Sequence, residues 1–153
     1  MSGENNVHAS VVVLGRYGLL IEGPSGSGKS TLAAALVADW QTRGLFARWV
    51  ADDQVAISAS GLVPIARPFD SIAGQAERAH LGIMAVDHLP SAAIDLVVAL
   101  KEPDELERLP EPVLDEERAV PLIAVPCKNT ALAVSLIRDQ LVHISNHAAA
   151  NPD

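Results

Sequence analysis

One eight-residue segment constrains this chain more than any other feature. The run Gly23-Pro24-Ser25-Gly26-Ser27-Gly28-Lys29-Ser30 fits the pattern G-x-x-x-x-G-K-S, with an apolar stretch before it and an Ala- and Leu-rich stretch after it. A loop between a strand and a helix turns consecutive backbone N–H groups and the positive end of the helix dipole toward one point. The segment therefore predicts an α/β P-loop fold that binds phosphate groups.

The last two residues of this segment add chemistry that a plain turn does not need. Lys29 is expected to reach the β- and γ-phosphates of a bound nucleotide, and the hydroxyl of Ser30 is expected to bind Mg²⁺, which prefers oxygen ligands. The alternative is a Gly- and Ser-rich turn without a ligand. We favour the phosphate site because neither Lys29 nor Ser30 has a packing reason to lie there.

Hydrophobic patterning predicts a mixed central sheet around the loop. Two apolar stretches around Gly15 and Arg16 predict an antiparallel pair of strands, the second of which enters Gly23. The other predicted strands cover residues 46–51, 82–86, 94–100 and 122–125, and an extended stretch over 54–60 is interrupted at Gly61, Pro64 and Pro68. A first helix is predicted over residues 29–43 and stops at Gly44. A final helix begins at Asn129 or Thr130 and carries Leu132, Leu136, Ile137 and Leu141. We expect the strands over 82–86 and 94–100 to join one sheet.

Length and composition exclude several classes of protein. The 153 residues, 49% of them hydrophobic, predict one domain over residues 1–153, with frayed ends at about 1–6 and 148–153. A net charge of −8 argues against nucleic acid as a partner. Cys127 is the single cysteine, so no internal disulfide can form. The polar start and the absence of a long apolar run predict a cytoplasmic protein with no membrane contact.

Two adjacent carboxylates follow the predicted strand over 46–51. Asp52 or Asp53 could meet Mg²⁺ directly or through water, or could accept the proton of an attacking hydroxyl. Adjacent residues of a strand point to opposite faces, so the two cannot share one role unless the backbone bends. An Asp-Asp turn without chemistry is the alternative, and Asp87 is a rival ligand for the metal.

Several motifs together resemble one known family. His8, the glycine-rich segment and Val50-Ala51-Asp52-Asp53-Gln54-Val55 are similar to an ordered series of His, P-loop and V-A-D-D-x-V. Glu77-Arg78-Ala79-His80-Leu81-Gly82-Ile83 resembles E-x-R-G-x-G-I, and Glu107-Arg108-Leu109 resembles D-R-L. In this order and spacing the motifs resemble the catalytic domain of the bacterial HPr kinase/phosphorylase family, across most of the chain.

The resemblance implies roles for individual residues. It implies phosphate binding by residues 23–29 and Mg²⁺ binding by Ser30 and Glu77. It also implies proton transfer by Asp53 and a site completed by His8 and Arg108. Asp52 is a further candidate ligand for Mg²⁺, from its own position in the sequence. It also implies that ATP phosphorylates a serine of HPr and that, in many members, inorganic phosphate removes this phosphoryl group again. Members of the family assemble into homo-oligomers, commonly hexamers, and the resemblance implies the same here.

The chain departs from the family pattern at two places. Ala79 and His80 stand where the pattern has Arg-Gly, and residues 125–129 keep one basic residue, Lys128, where two are expected. Anionic phosphate needs cationic residues that a neutral hydroxyl does not. We therefore expect kinase activity to exceed phosphorylase activity. A small-molecule kinase or ATPase, and a nucleotide-dependent binding module without turnover, are the alternative functions.

Three further features carry no predicted function. His143 and His147 are four residues apart on the final predicted helix, but no other ligands with suitable spacing accompany them. Cys127 is assigned no chemistry. The segment over 102–118 combines prolines with many carboxylates and is predicted to be an exposed, solvated loop.

Overall fold

The computed structural model describes residues 4–58 and 63–150, and the side chains of this part up to residue 147. These described residues form two α-helices, twelve strands and two short 3-10 turns, and nine of the strands lie between the two helices. In chain order the elements are β1 Glu4–Val7, β2 Ser10–Leu14, β3 Tyr17–Glu22, α1 Lys29–Thr42, β4 Ala47–Ala51, β5 Val55–Ser58, β6 Ile65–Pro68, β7 Gln75–Arg78, β8 Gly82–Ala85, β9 Ala92–Ala93, β10 Leu96–Lys101, β11 Val113–Asp115, β12 Val120–Pro126 and α2 Thr130–Ala150.

A six-stranded mixed sheet forms the centre, as the sequence predicted. Its order is β11-β12-β10-β3-β2-β4. Strand β3 runs parallel to β10, and β10 runs parallel to β12, while β2 is antiparallel to both β3 and β4. The carboxyl ends of β3, β10 and β12 therefore lie at one edge, where ligands bind in open sheets of this kind.

Alternating side chains of the central strands form two separate cores. On one face, Leu19 and Ile21 pack with the apolar residues of α1 and α2. On the other face, Leu20 and Val97 pack against a second sheet, whose order is β1-β5-β6-β9. The two-residue period of a strand thus buries both faces of β3 and β10, which explains their nearly continuous apolar sequence.

The predicted hairpin and first helix are confirmed. Gly15 has a φ of 63°, which suits the tight link between β2 and β3. Helix α1 begins directly at Lys29 and ends at Thr42, one residue before the predicted end, and Gly44 follows with a φ of 74°. The loop is therefore anchored between a buried strand and a packed helix.

The prediction for residues 82–86 was wrong about their partner. Strand β8 pairs only with β7, in a two-stranded hairpin outside the central sheet. All four of its residues are exposed, and Ile83 is 66% exposed. A short apolar run alone does not distinguish a buried central strand from an exposed hairpin. Strands β6 and β9 were also missed, and Pro68 closes β6 rather than interrupting an element.

The segment over 102–118 is not simply solvated. It contains a 3-10 turn over Pro103–Glu105 and the strand β11, which pairs with β12. Asp115 is buried, and its carboxylate accepts hydrogen bonds from the backbone N–H and the guanidinium of Arg118, at 2.9 and 2.8 Å. Charge in this segment therefore contributes to tertiary structure.

Two of the four residues that the sequence predicted on the apolar face of the final helix are buried. Ile137 and Leu141 are buried, whereas Leu132 and Leu136 are 44% and 38% exposed. Ala133 and Val134 take the buried positions instead, so the buried stripe is displaced around the helix.

Parts of the two ends that the sequence predicts to fray lie within regular elements. Residues 4–6 belong to β1, which pairs with β5, and the backbone of α2 continues through residue 150. Residues 1–3, 151–153 and Gly61 lie outside the described part. No helix in that part is long and apolar enough to cross a lipid bilayer.

Candidate functional site

The glycine-rich loop, residues 23–30, bends tightly between β3 and α1. Gly26 and Gly28 have φ values of 79° and 99°, which side chains rarely allow. Gly23 is constrained differently, because a β-carbon there would lie 2.7 Å from the hydroxyl oxygen of Ser27 and 3.0 Å from the β-carbon of Leu100. The loop thus needs glycine at these positions in order to fold back toward the start of α1.

Lys29 closes this loop with its own side chain. Its ammonium group donates hydrogen bonds to the carbonyl oxygens of Gly23 and Pro24, at 2.9 and 3.2 Å. No carboxylate of the described residues forms an ion pair with it. The positive charge is therefore held over the loop by neutral acceptors, and an anion can compete for it.

Asp52 is the centre of the hydrogen-bond network beside the loop. One carboxylate oxygen accepts hydrogen bonds from the hydroxyls of Ser10, at 2.6 Å, and Ser30, at 2.8 Å. The other accepts a bond from the backbone N–H of Glu77, at 2.8 Å. Asp52 is only 6% exposed. The structure thus brings together Ser30, Asp52 and Glu77, three residues that the sequence predicted to bind the metal.

This cluster offers oxygen atoms alone to a cation. No lysine or arginine of the described residues pairs with Asp52, so its negative charge is balanced only by hydrogen-bond donors. Within residues 4–58 and 63–147, no group of three or more His, Cys, Asp or Glu could hold a metal by itself. The residues fit Mg²⁺, which takes one or two protein oxygens and completes its shell with phosphate oxygens and water.

Asp53 occupies a different environment from its neighbour. Asp52 is buried, whereas Asp53 is exposed with a φ of 69°. The backbone N–H of Ala9 donates to the carbonyl oxygen of Asp53 at 3.1 Å, and this contact brings His8 near the same turn. His8 is exposed. The backbone bend therefore places the two carboxylates in different environments, with Asp52 buried and Asp53 exposed to solvent.

Two other predicted residues are not connected to this cluster. The carboxylate of Asp87 is exposed and forms no hydrogen bond or ion pair within the described chain, so no such contact joins it to Asp52. Arg108 is also exposed, in the loop between β10 and β11, and its guanidinium contacts no described acceptor.

The positions that depart from the family pattern lie in two turns. His80 has a φ of 70° in the turn between β7 and β8. Lys128 has a φ of 60° between β12 and α2, where Asn129 accepts a hydrogen bond from the N–H of Leu132 at 3.3 Å. Cys127 is buried beside Lys128. Each of these two turns therefore has a residue other than glycine at a positive φ.

The histidine pair of α2 forms no metal site. The rings of His143 and His147 stack with centroids 6.2 Å apart, and no third ligand of the described residues joins them.

Two features of the site were not found from the sequence. Ser10 is fully buried within an otherwise apolar strand, and this buried hydroxyl in a run of valines was the available signal. The second feature is the side chain of Glu22, which ends β3 and lies 3.7 Å from the guanidinium of Arg118. Burial raises the pKa of Glu22 above its usual 4.5, and the Arg118 charge opposes that shift.

Comparison with known proteins identifies the fold. No protein-family model matches the chain, and no curated protein matches it. A solved structure described as the Hpr(Ser) kinase/phosphatase from Coxiella burnetii aligns with a TM-score of 0.74 over 92% of this chain and 99% of that chain, at 23% sequence identity. At this identity the likeness concerns the fold, and the chain therefore has the same mixed α/β fold as that kinase/phosphatase.

Proposed function

We propose that this protein is an ATP-dependent, Mg²⁺-dependent kinase that phosphorylates a serine of the phosphocarrier protein HPr. The observation that carries the proposal is the 2.8 Å hydrogen bond from Ser30 to Asp52, which joins the start of α1 to the end of β4 beside the glycine-rich loop. A hydroxyl and a buried carboxylate in this position suit Mg²⁺ bound to the outer phosphates of a nucleotide.

The loop and Lys29 supply the phosphate site in this proposal. The ammonium group of Lys29 exchanges the carbonyl oxygens of Gly23 and Pro24 for phosphate oxygens, which form stronger, charge-assisted hydrogen bonds. Ser30 and Asp52, with Glu77 nearby, would hold Mg²⁺, which when bound would supply positive charge beside the outer phosphates. Glu77 is exposed, so its carboxylate can turn toward the metal while its N–H stays bonded to Asp52.

Asp53 is the proposed general base. A serine hydroxyl must lose its proton as its oxygen bonds to the γ-phosphorus and the bond to the ADP oxygen breaks. The exposed carboxylate of Asp53 accepts that proton, and ADP leaves with the electron pair of the broken bond. The bend at Asp53 allows this role next to a metal-binding Asp52, because the two carboxylates lie in different environments.

His8 and Arg108 are proposed to complete the site once both substrates are bound. His8 precedes Ala9, whose backbone N–H donates to the carbonyl oxygen of Asp53, and this proximity supports a role for His8 at the acceptor serine. Arg108 is exposed and unpaired among the described residues, and its long side chain is available to stabilise charge on the transferring group.

The choice of HPr as acceptor depends on two supports beyond the site. The motifs around His8, Asp52, Glu77 and Arg108 resemble those of the HPr kinase/phosphorylase family. The solved structure with the same fold is described as an Hpr(Ser) kinase/phosphatase. The alternatives to an HPr kinase are a small-molecule kinase or ATPase and a binding module without turnover.

The deciding assay is transfer of radiolabelled phosphate from ATP to purified HPr in the presence of Mg²⁺. Labelling of HPr supports the proposal, and replacing its acceptor serine by alanine should remove the label. Loss of ATP without labelled protein would instead indicate a small-molecule kinase or ATPase. Tight ATP binding without turnover would indicate a binding module.

We further propose that the forward reaction exceeds the reverse one. Ala79 and His80 provide less positive charge than Arg-Gly would, and residues 125–129 keep one basic residue where the family pattern has two. The competing possibility is that Arg78 and Lys128, which are both exposed, supply the missing charge. The measurement is pyrophosphate release from serine-phosphorylated HPr with saturating phosphate, compared with the forward rate. Comparable rates would contradict the proposal.

Self-association as a homo-oligomer, and a hexamer by analogy, belongs to the same proposal, as does a cytoplasmic location. Light scattering at assay concentrations tests the first. A mass equal to the 16.1 kDa monomer would refute it.

A further inference from the structure

The start of strand β2 contacts both members of the acidic pair. The backbone N–H of Ala9 donates to the carbonyl oxygen of Asp53 at 3.1 Å. The hydroxyl of the next residue, Ser10, donates to the carboxylate of Asp52 at 2.6 Å. Ala9 and Ser10 are both fully buried. One buried dipeptide therefore holds the backbone of Asp53 and the side chain of Asp52.

We propose that Ser10 is a positioning residue for the Mg²⁺ site. Its hydroxyl holds the Asp52 carboxylate so that one acceptor position, on Oδ2, is left for the cation or for a water molecule bound to it. The inference rests on the proposed function, because it concerns the Mg²⁺ site of the proposed kinase. It goes further, because it assigns a role to a residue outside both the glycine-rich loop and the acidic pair.

An irregularity in the pairing of β2 with β4 turns Asp52 toward this serine. Consecutive residues of β2 lie opposite Ala51 and Trp49, so Val50 is an extra residue on β4. Such a bulge changes the face to which the following side chains point. Trp49 packs on the side of α1 and α2, whereas Val50 and Ala51 both pack on the other side. Asp52 then returns to the α1 side, where it meets the hydroxyl of Ser30 at 2.8 Å.

The acceptor positions of the Asp52 carboxylate are nearly all occupied. Each carboxylate oxygen has two such positions. Oδ1 accepts hydrogen bonds from the hydroxyls of Ser10 and Ser30, and Oδ2 accepts one from the backbone N–H of Glu77. Among the described residues no other donor reaches Asp52. One position on Oδ2 therefore remains for a ligand.

Of the three donors, Ser10 has the most constrained surroundings. Ser30 is itself a proposed ligand of the cation, and Glu77 is exposed on the β7–β8 hairpin. Ser10 lies instead in a fully buried strand of the central sheet. Its short hydrogen bond to a charged acceptor is of the strong, charge-assisted kind. Ser10 therefore fixes the orientation of the carboxylate whether or not a ligand is bound.

Calorimetric titration with inorganic tripolyphosphate, with and without Mg²⁺, tests the proposal without any turnover. The gain in affinity caused by Mg²⁺ reports the metal site, whereas the affinity in metal-free buffer reports the loop with Lys29. Loss of a residue that orients a metal ligand typically weakens metal binding by about 10–100-fold. We expect Ser10→Ala to reduce the gain by at least about tenfold and to leave the metal-free affinity within about twofold of wild type.

Ser145→Ala is the matched control. It removes another hydroxyl, which hydrogen-bonds that of Tyr17 at 2.9 Å on α2, and it should leave the gain unchanged. In a protein that already carries Asp52→Asn, Ser10→Ala should cause no further loss of the gain, because it acts through that carboxylate. If Ser10→Ala does not fold, as judged by thermal melting, Ser10→Cys keeps a small side chain with a weaker donor and should also reduce the gain.

Two outcomes would overturn the role of Ser10 while leaving the phosphate and metal sites intact. One is an unchanged gain in Ser10→Ala with a lower melting temperature, which would show that the hydroxyl contributes to stability alone. The other is an equal loss of affinity with and without Mg²⁺. If wild-type protein does not bind tripolyphosphate, or gains nothing from Mg²⁺, the proposed function itself is refuted, and the inference with it.

Discussion

Replacing Asp52 by asparagine tests whether its carboxylate organises the site. Asparagine has the same shape, but one of its two oxygen acceptors becomes an NH₂ donor. Its remaining oxygen can still accept from Ser10 and Ser30, which share one carboxylate oxygen in the wild-type protein. The NH₂ group would then face the N–H of Glu77, which loses its acceptor.

The size of the effect follows from these contacts. A buried donor left without a partner costs about 1–3 kcal/mol of stability. For a chain of this size each kcal/mol shifts the melting temperature by about 2–4 °C, so Asp52→Asn should melt roughly 5 °C lower. Removal of a buried charge acts in the opposite direction. We expect the lost acceptor to dominate, because three hydrogen bonds of 2.6–2.8 Å already stabilise the charge.

Asp53→Asn is the matched control for this experiment. Asp53 is exposed, and asparagine tolerates its φ of 69° well. Thermal melting followed by circular dichroism should show little change for Asp53→Asn and a clear decrease for Asp52→Asn. Under the proposed function, Asp52→Asn should also weaken Mg²⁺-dependent ATP binding. An unchanged or higher melting temperature for Asp52→Asn would show that burial of the charge dominates and that this reasoning is wrong.

Three further predictions concern single side chains. Lys29→Ala should weaken MgATP binding by about 10²-fold in calorimetry, because it removes a charge-assisted contact to phosphate; unchanged affinity would remove Lys29 from the site. Asp53→Asn should leave ATP binding largely intact and abolish labelling of HPr, and normal labelling would exclude Asp53 as the base. The raised pKa of Glu22 means that the folded state holds this proton more tightly than the unfolded state, so its stabilising effect is complete below pH 4.5 and is lost as pH rises through the folded-state pKa. The melting temperature of Glu22→Gln should therefore rise relative to wild type between pH 4 and pH 7, and a constant difference would contradict the assigned cause.

Much of the fold could be predicted from the sequence because the relevant signals are local. Gly26 and Gly28 indicate positive φ angles, and the apolar runs before and after them indicate a strand and a helix. These features depend on residues adjacent in the chain. The same holds for the hairpin at Gly15 and for the stop at Gly44.

Other features depended on which elements pack together. The apolar residues of β8 gave no sign that it would pair only with β7, and Leu132 and Leu136 gave no sign that Ala133 and Val134 would be buried instead. Helical spacing limits the buried stripe to one side, but the position of β12 and α1 selects that side.

The sequence by itself determined the phosphate-binding motif and the presence of two adjacent carboxylates after the strand over residues 46–51. Only the tertiary structure decided that Asp52 faces the loop and Asp53 faces outward. The hydrogen bonds of Asp52 to Ser10, Ser30 and Glu77 span 42, 22 and 25 residues of sequence. Such contacts require β2, β4 and the β7–β8 hairpin to meet beside α1. The order of the strands and the packing of the elements bring these segments together. No local sequence pattern specifies contacts between residues so far apart in the chain.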